Sequence, residues 1–257
     1  MKKSLLLIGV CAALLPSCKS HYVVSDVSRS RIVVDSRYDV QPDAAAEAFL
    51  SPFKQKVDSV MSPVLGEVAR DMVVERPESP LSNLLPDILV YMSADYGEKP
   101  DFSVYNIGGI RAGLIKGKVT YGDVLDVAPF ENKICFLTLT GDKVLELFSQ
   151  IAMRGGEGVS HGVELVISSD GKLLSAHLHG KEIDPKASYR IATIDYLSQG
   201  NDQMTAFKAC TDLKSPQEEK NNSRYIIANY FRKMAAQQKV VDAHVEGRIK
   251  KVSPTEQ

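Results

Sequence analysis

Asn106-Ile107-Gly108-Gly109-Ile110-Arg111 is the stretch on which the reading of this chain turns. It follows Phe102 to Asn106, an apolar run that reads as a short strand, so the paired glycines mark a turn at a strand end. Two adjacent glycines let a backbone take conformations barred to other residues and approach a ligand closely. They set Asn106 and Arg111 on either side of the turn. An amide both gives and accepts hydrogen bonds and can read a base edge, whereas a guanidinium is a rigid fork suited to ribose or phosphate oxygens. Taken alone, Gly-Gly-Ile-Arg reads first as a structural turn.

Outward from this turn, the hydrophobic pattern alternates irregularly between helical and strand periods. Leu81, Leu84, Leu85, Ile88, Leu89 and Met92 recur at three and four, the stripe of a helix packed on a core. Pro86 predicts that the regular helix either starts near Asn83 or is kinked. Gly141 to Met153 carries a second such stripe, with Val144, Leu145, Leu147, Phe148, Ile151 and Ala152 inward. Val64 to Ala69, Ile134 to Leu139, Tyr189 to Ile194 and Val245 to Val252 read as strands, and Val119 to Val127 as a turn and short helix. Val163 to Ser168 and Leu173 to Leu178 flank Asp170-Gly171 as a hairpin, and Arg224 to Met234 reads as a helix. Thr211 to Ser223 is polar and charged, and is expected to be an exposed loop. The fold class that follows is α+β: a layered α/β domain with a mixed β-sheet flanked by helices, preceded by a helical N-terminal extension.

The turn is one of several blocks in a fixed order. It is followed by Gly117, Thr120-Tyr121-Gly122-Asp123-Val124-Leu125, Pro129-Phe130-Glu131-Asn132 and Leu139-Thr140-Gly141. Tyr189-Arg190-Ile191-Ala192-Thr193, Asp195-Tyr196-Leu197, Gly200-Asn201-Asp202 and Glu246-Gly247-Arg248-Ile249 complete the set. In this order the blocks, which cover roughly residues 64–252, resemble the C-terminal, substrate-recognising domain of the 5'-nucleotidases, a family that includes UDP-sugar hydrolases and 2',3'-cyclic-nucleotide phosphodiesterases. The resemblance implies a nucleotide or nucleoside ligand whose base is clamped between Phe130 and Tyr196. A base stacked on an aromatic ring is worth roughly 1–3 kcal/mol and any base can do it; the plainer alternative is that both rings fill the core. By the same resemblance Asn106 touches the base, Arg111 the ribose or phosphate side, and Asp202 the ribose hydroxyls, with Gly108 and Gly109 giving the backbone access. Asn201 stands where the family has a second glycine, a position an asparagine can occupy at positive φ. Pro77 stands where the family often places a ligand-contacting arginine, which leaves Arg76, one residue off, as a candidate second cation or a surface residue.

Hydrolysis in this family belongs to a metallophosphoesterase domain with two metal ions, and two-metal chemistry needs many Asp, His and Asn ligands. The chain has five histidines and neither a Gly-Asn-His-Asp nor a Gly-His-x-His motif. No metal ligands and no cofactor are therefore assigned to it. His177 and His179, two apart on a strand, read as a surface pair, Asp242-Ala243-His244 lacks partners, and His161 has no nucleophile-elbow motif beside it. The resemblance leads to a recognition subunit that completes a nucleotide phosphohydrolase with a separately encoded metallophosphoesterase, which carries the divalent metals. The alternatives are a binding or interaction lipoprotein without chemistry, and hydrolysis by this chain alone.

The remaining features concern export and charge. Lys2 and Lys3, the apolar run Leu5 to Leu15 and the lipobox-like Leu15-Pro16-Ser17-Cys18 read as a lipoprotein signal over residues 1–17 with lipid on Cys18. This places the protein on the outer side of a bacterial membrane, periplasmic or at the surface. Residues 18–42 then read as a tether, 43–62 as a helical connector interrupted at Pro52, and 63–257 as the recognition domain. With 31 basic and 32 acidic side chains, the near-balanced charge excludes steering toward a nucleic-acid polymer. Cys135 lies in the apolar run Ile134 to Leu137 and reads as a buried thiol rather than the partner of Cys210.

Overall fold

The computed structural model describes residues 22–40 and 43–253; the signal segment 1–17 and Cys18 lie outside the described residues. The chain divides between Leu50 and Ser51 into two units. In the first, Ser36–Tyr38 form a 3-10 turn whose Asp35 side chain accepts from the Arg37 backbone N–H. The helix α1 (Ala44–Met61) begins after Asp43, whose carboxylate accepts the N–H groups of Ala45 and Ala46 at 2.9 and 3.1 Å. It runs through Pro52, where an interruption was expected. The carbonyl that loses its donor to the ring, that of Ala48, belongs to an exposed residue, where water satisfies it. No residue of α1 is buried, and no helix among the described residues is long and apolar enough to cross a membrane.

The second unit runs β1 (Val64–Val68), α2 (Pro80–Met92), β2 (Phe102–Tyr105), β3 (Gly117–Thr120), α3 (Tyr121–Val127), β4 (Ile134–Thr140), α4 (Gly141–Met153), β5 (Gly158–Val159), β6 (Val163–Ser168) and β7 (Leu173–Leu178). It continues through β8 (Lys181–Glu182), β9 (Ser188–Ile194), α5 (Asp195–Ser198), β10 (Thr211–Lys214), α6 (Ser223–Ala236) and β11 (Ile249–Val252). The strands form a five-stranded sheet in the order β10-β4-β9-β2-β5, a four-stranded sheet β11-β6-β7-β8 and the pair β1-β3. Both larger sheets are mixed: β2 runs parallel to β9, and β11 parallel to β6, among antiparallel neighbours. Helix α4 packs against β4 and β9 on one side and the β6–β7 hairpin on the other, while α2 lies on β2, β5 and β9. The layered α+β architecture read from the sequence is the one observed.

Helix α2 starts three residues earlier than Asn83. Ser79 and Ser82 form a reciprocal cap, each side chain accepting the other's backbone N–H, and Pro80 takes the first helical position, where no N–H is needed. Pro86 therefore falls inside the helix, and the Ser82 carbonyl it leaves without a donor faces Gly158, where any Cβ would lie 2.7 Å away. All six residues of the apolar stripe are buried. The Thr211 to Ser223 stretch, expected as a loop, contains strand β10 on the edge of the large sheet, and its last residues Asn221, Asn222 and Ser223 are buried.

Cys135 and Cys210 are both free. Cys135 is buried on β4, and burial pushes its thiol up to about 12. Native protein treated with iodoacetamide at pH 8 is expected to label Cys210 and leave Cys135 unmodified until denaturant is added, as peptide mass spectrometry would show; rapid native labelling of Cys135 would contradict this packing.

Candidate functional site

The sheet order gathers the site. Strands β2 and β9 run side by side in the same direction, so Asn106 and Tyr196, each just past its strand, emerge at the same end. Strand β4 runs the opposite way against β9, with Ile134 opposite Ile194, so the segment entering β4 comes to that end too. It is pinned there by mutual bonds: the Lys133 N–H donates to Asp195 Oδ1 at 3.0 Å, and the Asp195 N–H to the Lys133 carbonyl at 2.8 Å. These place Phe130 and Asn132 beside α5. Strand β5 pairs with β2, Gly158 opposite Tyr105, and brings the end of α4 to the same place.

The result is a cleft of about 300 Å³ lined by Asn106, Gly108, Gly109, Arg111, Phe130, Asn132, Arg154, Tyr196 and Asp202. Seven of the eight residues named from the sequence as candidate ligand contacts thus converge. Arg76 does not line the cleft. Its guanidinium is committed behind the wall, donating to the carboxylate of Glu157 and, at 2.9 Å, to the Arg154 carbonyl. The cation at that wall is Arg154 instead, just past the last residue of α4.

Within the cleft, Asp202 is the hub. Asn106 Nδ2 donates to its Oδ2 at 2.7 Å, the Tyr196 hydroxyl donates to its Oδ1 at 3.2 Å, and Arg154 Nη2 stands 3.7 Å from Oδ2. Asp202 and Gln203 both have positive φ, 53° and 61°, a strained pair that turns the carboxylate inward. Asn201, a residue able to take positive φ, does not do so here: Gly200 does, at 79°, and the Asn201 side chain donates to the Tyr196 carbonyl at 2.8 Å. Burial and the charge of Asp202 raise the Tyr196 phenol, which keeps it a donor. Tyr196 is thus both a ring surface and a brace for Asp202. Phe130 is 46% exposed, and the Arg111 guanidinium sits 5.9 Å from its ring centroid, within cation–π reach.

The two glycines serve close approach rather than unusual φ, since neither has a positive value. A Cβ on Gly109 would lie 2.7 Å from Asn106 Oδ1, whereas one on Gly108 would make only ordinary contact with Asp202 and Asn106 at 3.9 and 4.0 Å. Asn106 is 4% exposed and its Oδ1 has no hydrogen-bond partner. A buried acceptor without a donor costs roughly 1–3 kcal/mol, so this oxygen is poised to receive a ligand N–H or O–H.

Sequence reading missed three residues here. Asn132 lay inside the Pro129 to Asn132 block but was given no role. Arg154 precedes Gly155-Gly156, both at positive φ, and an arginine at a glycine-terminated helix end was the available signal. Glu157, with a fully buried side chain, gave none: its partners are fixed only by the tertiary fold. Elsewhere, His161, His179 and His244 line a second, open cleft, with His161 Nδ1 2.9 Å from Glu246. Among the described residues no group of three or more His, Cys, Asp or Glu is arranged to hold a metal ion.

Residues 60–209 match the family described as "5'-nucleotidase, C-terminal domain", more than half of the chain. The chain belongs to that family. A 5'-nucleotidase of Vibrio vulnificus is 26% identical over 193 residues, which is 74% of this chain and 34% of the relative. Protein UshA of Escherichia coli is 28% identical over 60% of this chain and 29% of its own length. The chain therefore spans about a third of these relatives. Among solved structures, the 5'-nucleotidase precursor of Thermus thermophilus superimposes with a TM-score of 0.68 at 26% identity, covering 81% of this chain and 43% of that one.

Proposed function

We propose that this chain is the nucleotide- or nucleoside-recognising part of a nucleotide phosphohydrolase, and that a separately encoded metallophosphoesterase brings the divalent metals and performs the hydrolysis. The observation that carries the reading is the convergence of Asn106, Arg111, Phe130, Tyr196 and Asp202 on one cleft. The rings offer π-surfaces to a base, and the unpartnered Asn106 Oδ1 accepts a hydrogen bond from it. Asp202 has two lone-pair sites left for vicinal hydroxyls, and Arg111 and Arg154 supply positive charge for a phosphate. Each group's part is to bind and orient. The described residues hold no group fit for a metal, so the reading assigns none of the hydrolytic step to them. Lipid on Cys18 would hold the protein to a bacterial membrane facing the periplasm or the exterior, where a partner enzyme meets exported nucleotides.

Titration calorimetry of the purified chain with adenosine and AMP tests this. Phe130→Ala and Tyr196→Ala are each expected to weaken binding by about 1–3 kcal/mol with little change in thermal unfolding. Variants that fold and bind as the wild type does would remove the clamp. Co-purification from the native membrane, assayed for metal-dependent nucleotidase activity, tests the partner: a bare chain that hydrolyses AMP with added manganese would overturn it.

A further inference from the structure

We infer that Glu157 is a positioning residue that keeps Arg154 off Asp202, and so keeps the Asp202 carboxylate open to a ligand's vicinal diol; this rests on the recognition role given to Asp202 above. Glu157 is 1% exposed and its side chain is entirely enclosed. A carboxylate there is tolerable only if donors replace its water, since an unpaired buried charge costs several kcal/mol. Three do. The Ile107 N–H donates to Oε2 at 2.5 Å, and Arg154 Nε donates to Oε1 at 2.6 Å, beside the guanidinium of Arg76. Glu157 thereby ties the Asn106 to Arg111 turn to the end of α4.

The arrangement is a competition between two carboxylates for one guanidinium. Arg154 is held by Glu157 through Nε, which leaves Nη2 at 3.7 Å from Asp202, beyond hydrogen-bond distance. A carboxylate accepts about four hydrogen bonds. Asn106 and Tyr196 occupy one site on each Asp202 oxygen, and what remains is what a pair of adjacent hydroxyls requires. Arginine and carboxylate readily pair bidentately, two parallel N–H donors on two oxygens. If Glu157 lost its charge, Arg154 would have Asp202 as its nearest anion and would fill those same sites.

The test compares adenosine with 2',3'-dideoxyadenosine on the purified full chain by calorimetry. Wild type is expected to prefer adenosine by roughly tenfold or more, the worth of hydrogen bonds to a charged group. Glu157→Gln should bring that preference to within about twofold while affinity for the dideoxy ligand holds, and Glu157→Gln combined with Arg154→Met should restore it. A merely structural Glu157 would weaken both ligands alike, and that result, or an unchanged preference in Glu157→Gln, overturns the inference while leaving the recognition reading intact. A wild type that binds neither ligand overturns the recognition reading and this inference with it, and one that binds both equally overturns the diol role of Asp202. If Glu157→Gln fails to fold, Arg154→Met alone decides: whatever the change in absolute affinity, the diol preference should persist or rise, and its loss would mean that Arg154 itself holds the hydroxyls.

Discussion

Replacing Asp202 by alanine is expected to lower affinity for adenosine by about a hundredfold or more, the largest single effect in the cleft. Two hydroxyl hydrogen bonds to a carboxylate are lost, each worth about 1.5–3 kcal/mol, and 1.4 kcal/mol is tenfold in a dissociation constant. A second loss adds to the first. Asn106 Nδ2 gives its bond to Asp202, and Asn106 Oδ1 already lacks a partner. Without Asp202 the buried amide has nothing to fix its orientation toward a base. The fold itself should change little, because Asp202 is partly exposed and sits at a positive φ that costs energy. Asp202→Asn separates the two losses: with its oxygen in the place of Oδ2 it keeps an acceptor for Asn106, and its amide N–H₂ is set toward the Tyr196 hydroxyl. Calorimetry should rank the variants wild type, Asn, Ala, with unfolding midpoints close together. A tenfold or smaller loss in Asp202→Ala would remove this residue from the ligand contact.

The largest expected effect on stability lies elsewhere, at Glu78. Its Oε1 accepts from Asn83 Nδ2 at 2.6 Å, from the Glu246 N–H at 2.7 Å and from the Gly247 N–H at 3.2 Å, and its Oε2 from the Ile249 N–H at 3.3 Å. One nearly buried carboxylate thus joins the start of α2 to the start of β11, some 170 residues later. Asn83 Nδ2 keeps a second acceptor, the His244 carbonyl at 2.9 Å, but the backbone donors have only Glu78 to replace water. Glu78→Ala should therefore destabilise the chain by about 3–5 kcal/mol, lowering the midpoint of thermal unfolding by roughly 10 °C. Urea titration followed by circular dichroism measures it, and a loss under about 1 kcal/mol would show that water enters and takes over these bonds.

Asp202 lies in a block that was legible in the sequence, whereas Glu78 was given no role there. Helix α4 was readable to the residue because its pattern is a packing pattern: Val144, Leu147, Phe148, Ile151 and Ala152 are buried as their spacing requires. One polar member escaped it. Gln150 is buried because its amide donates to Thr205 and accepts from Ala206, partners 55 and 56 residues away that no local period reveals. Strand β3 was absorbed into a turn, since four residues become a strand only by pairing with β1. In the cleft, motif order identified seven of the residues that line it, whereas Arg154 and Glu157 gain their places from the pairing of β5 with β2. The glycine pair was located correctly for an incomplete reason: the demand is for room beside Asn106, not for a left-handed backbone.

Strand β10 has a bearing on colloidal behaviour. It meets β4 at only two register points, Thr211 with Thr138 and Lys214 with Phe136, with an irregularity between, and all four of its residues are exposed. Were it absent, the outermost strand would be β4, whose Ile134-Cys135-Phe136-Leu137 is wholly apolar and whose backbone would invite another chain to add on. A short, charged, kinked ribbon carrying Asp212 and Lys214 is a poor template for such growth, so this unremarkable polar stretch serves as the selvedge that keeps copies of the protein from knitting together.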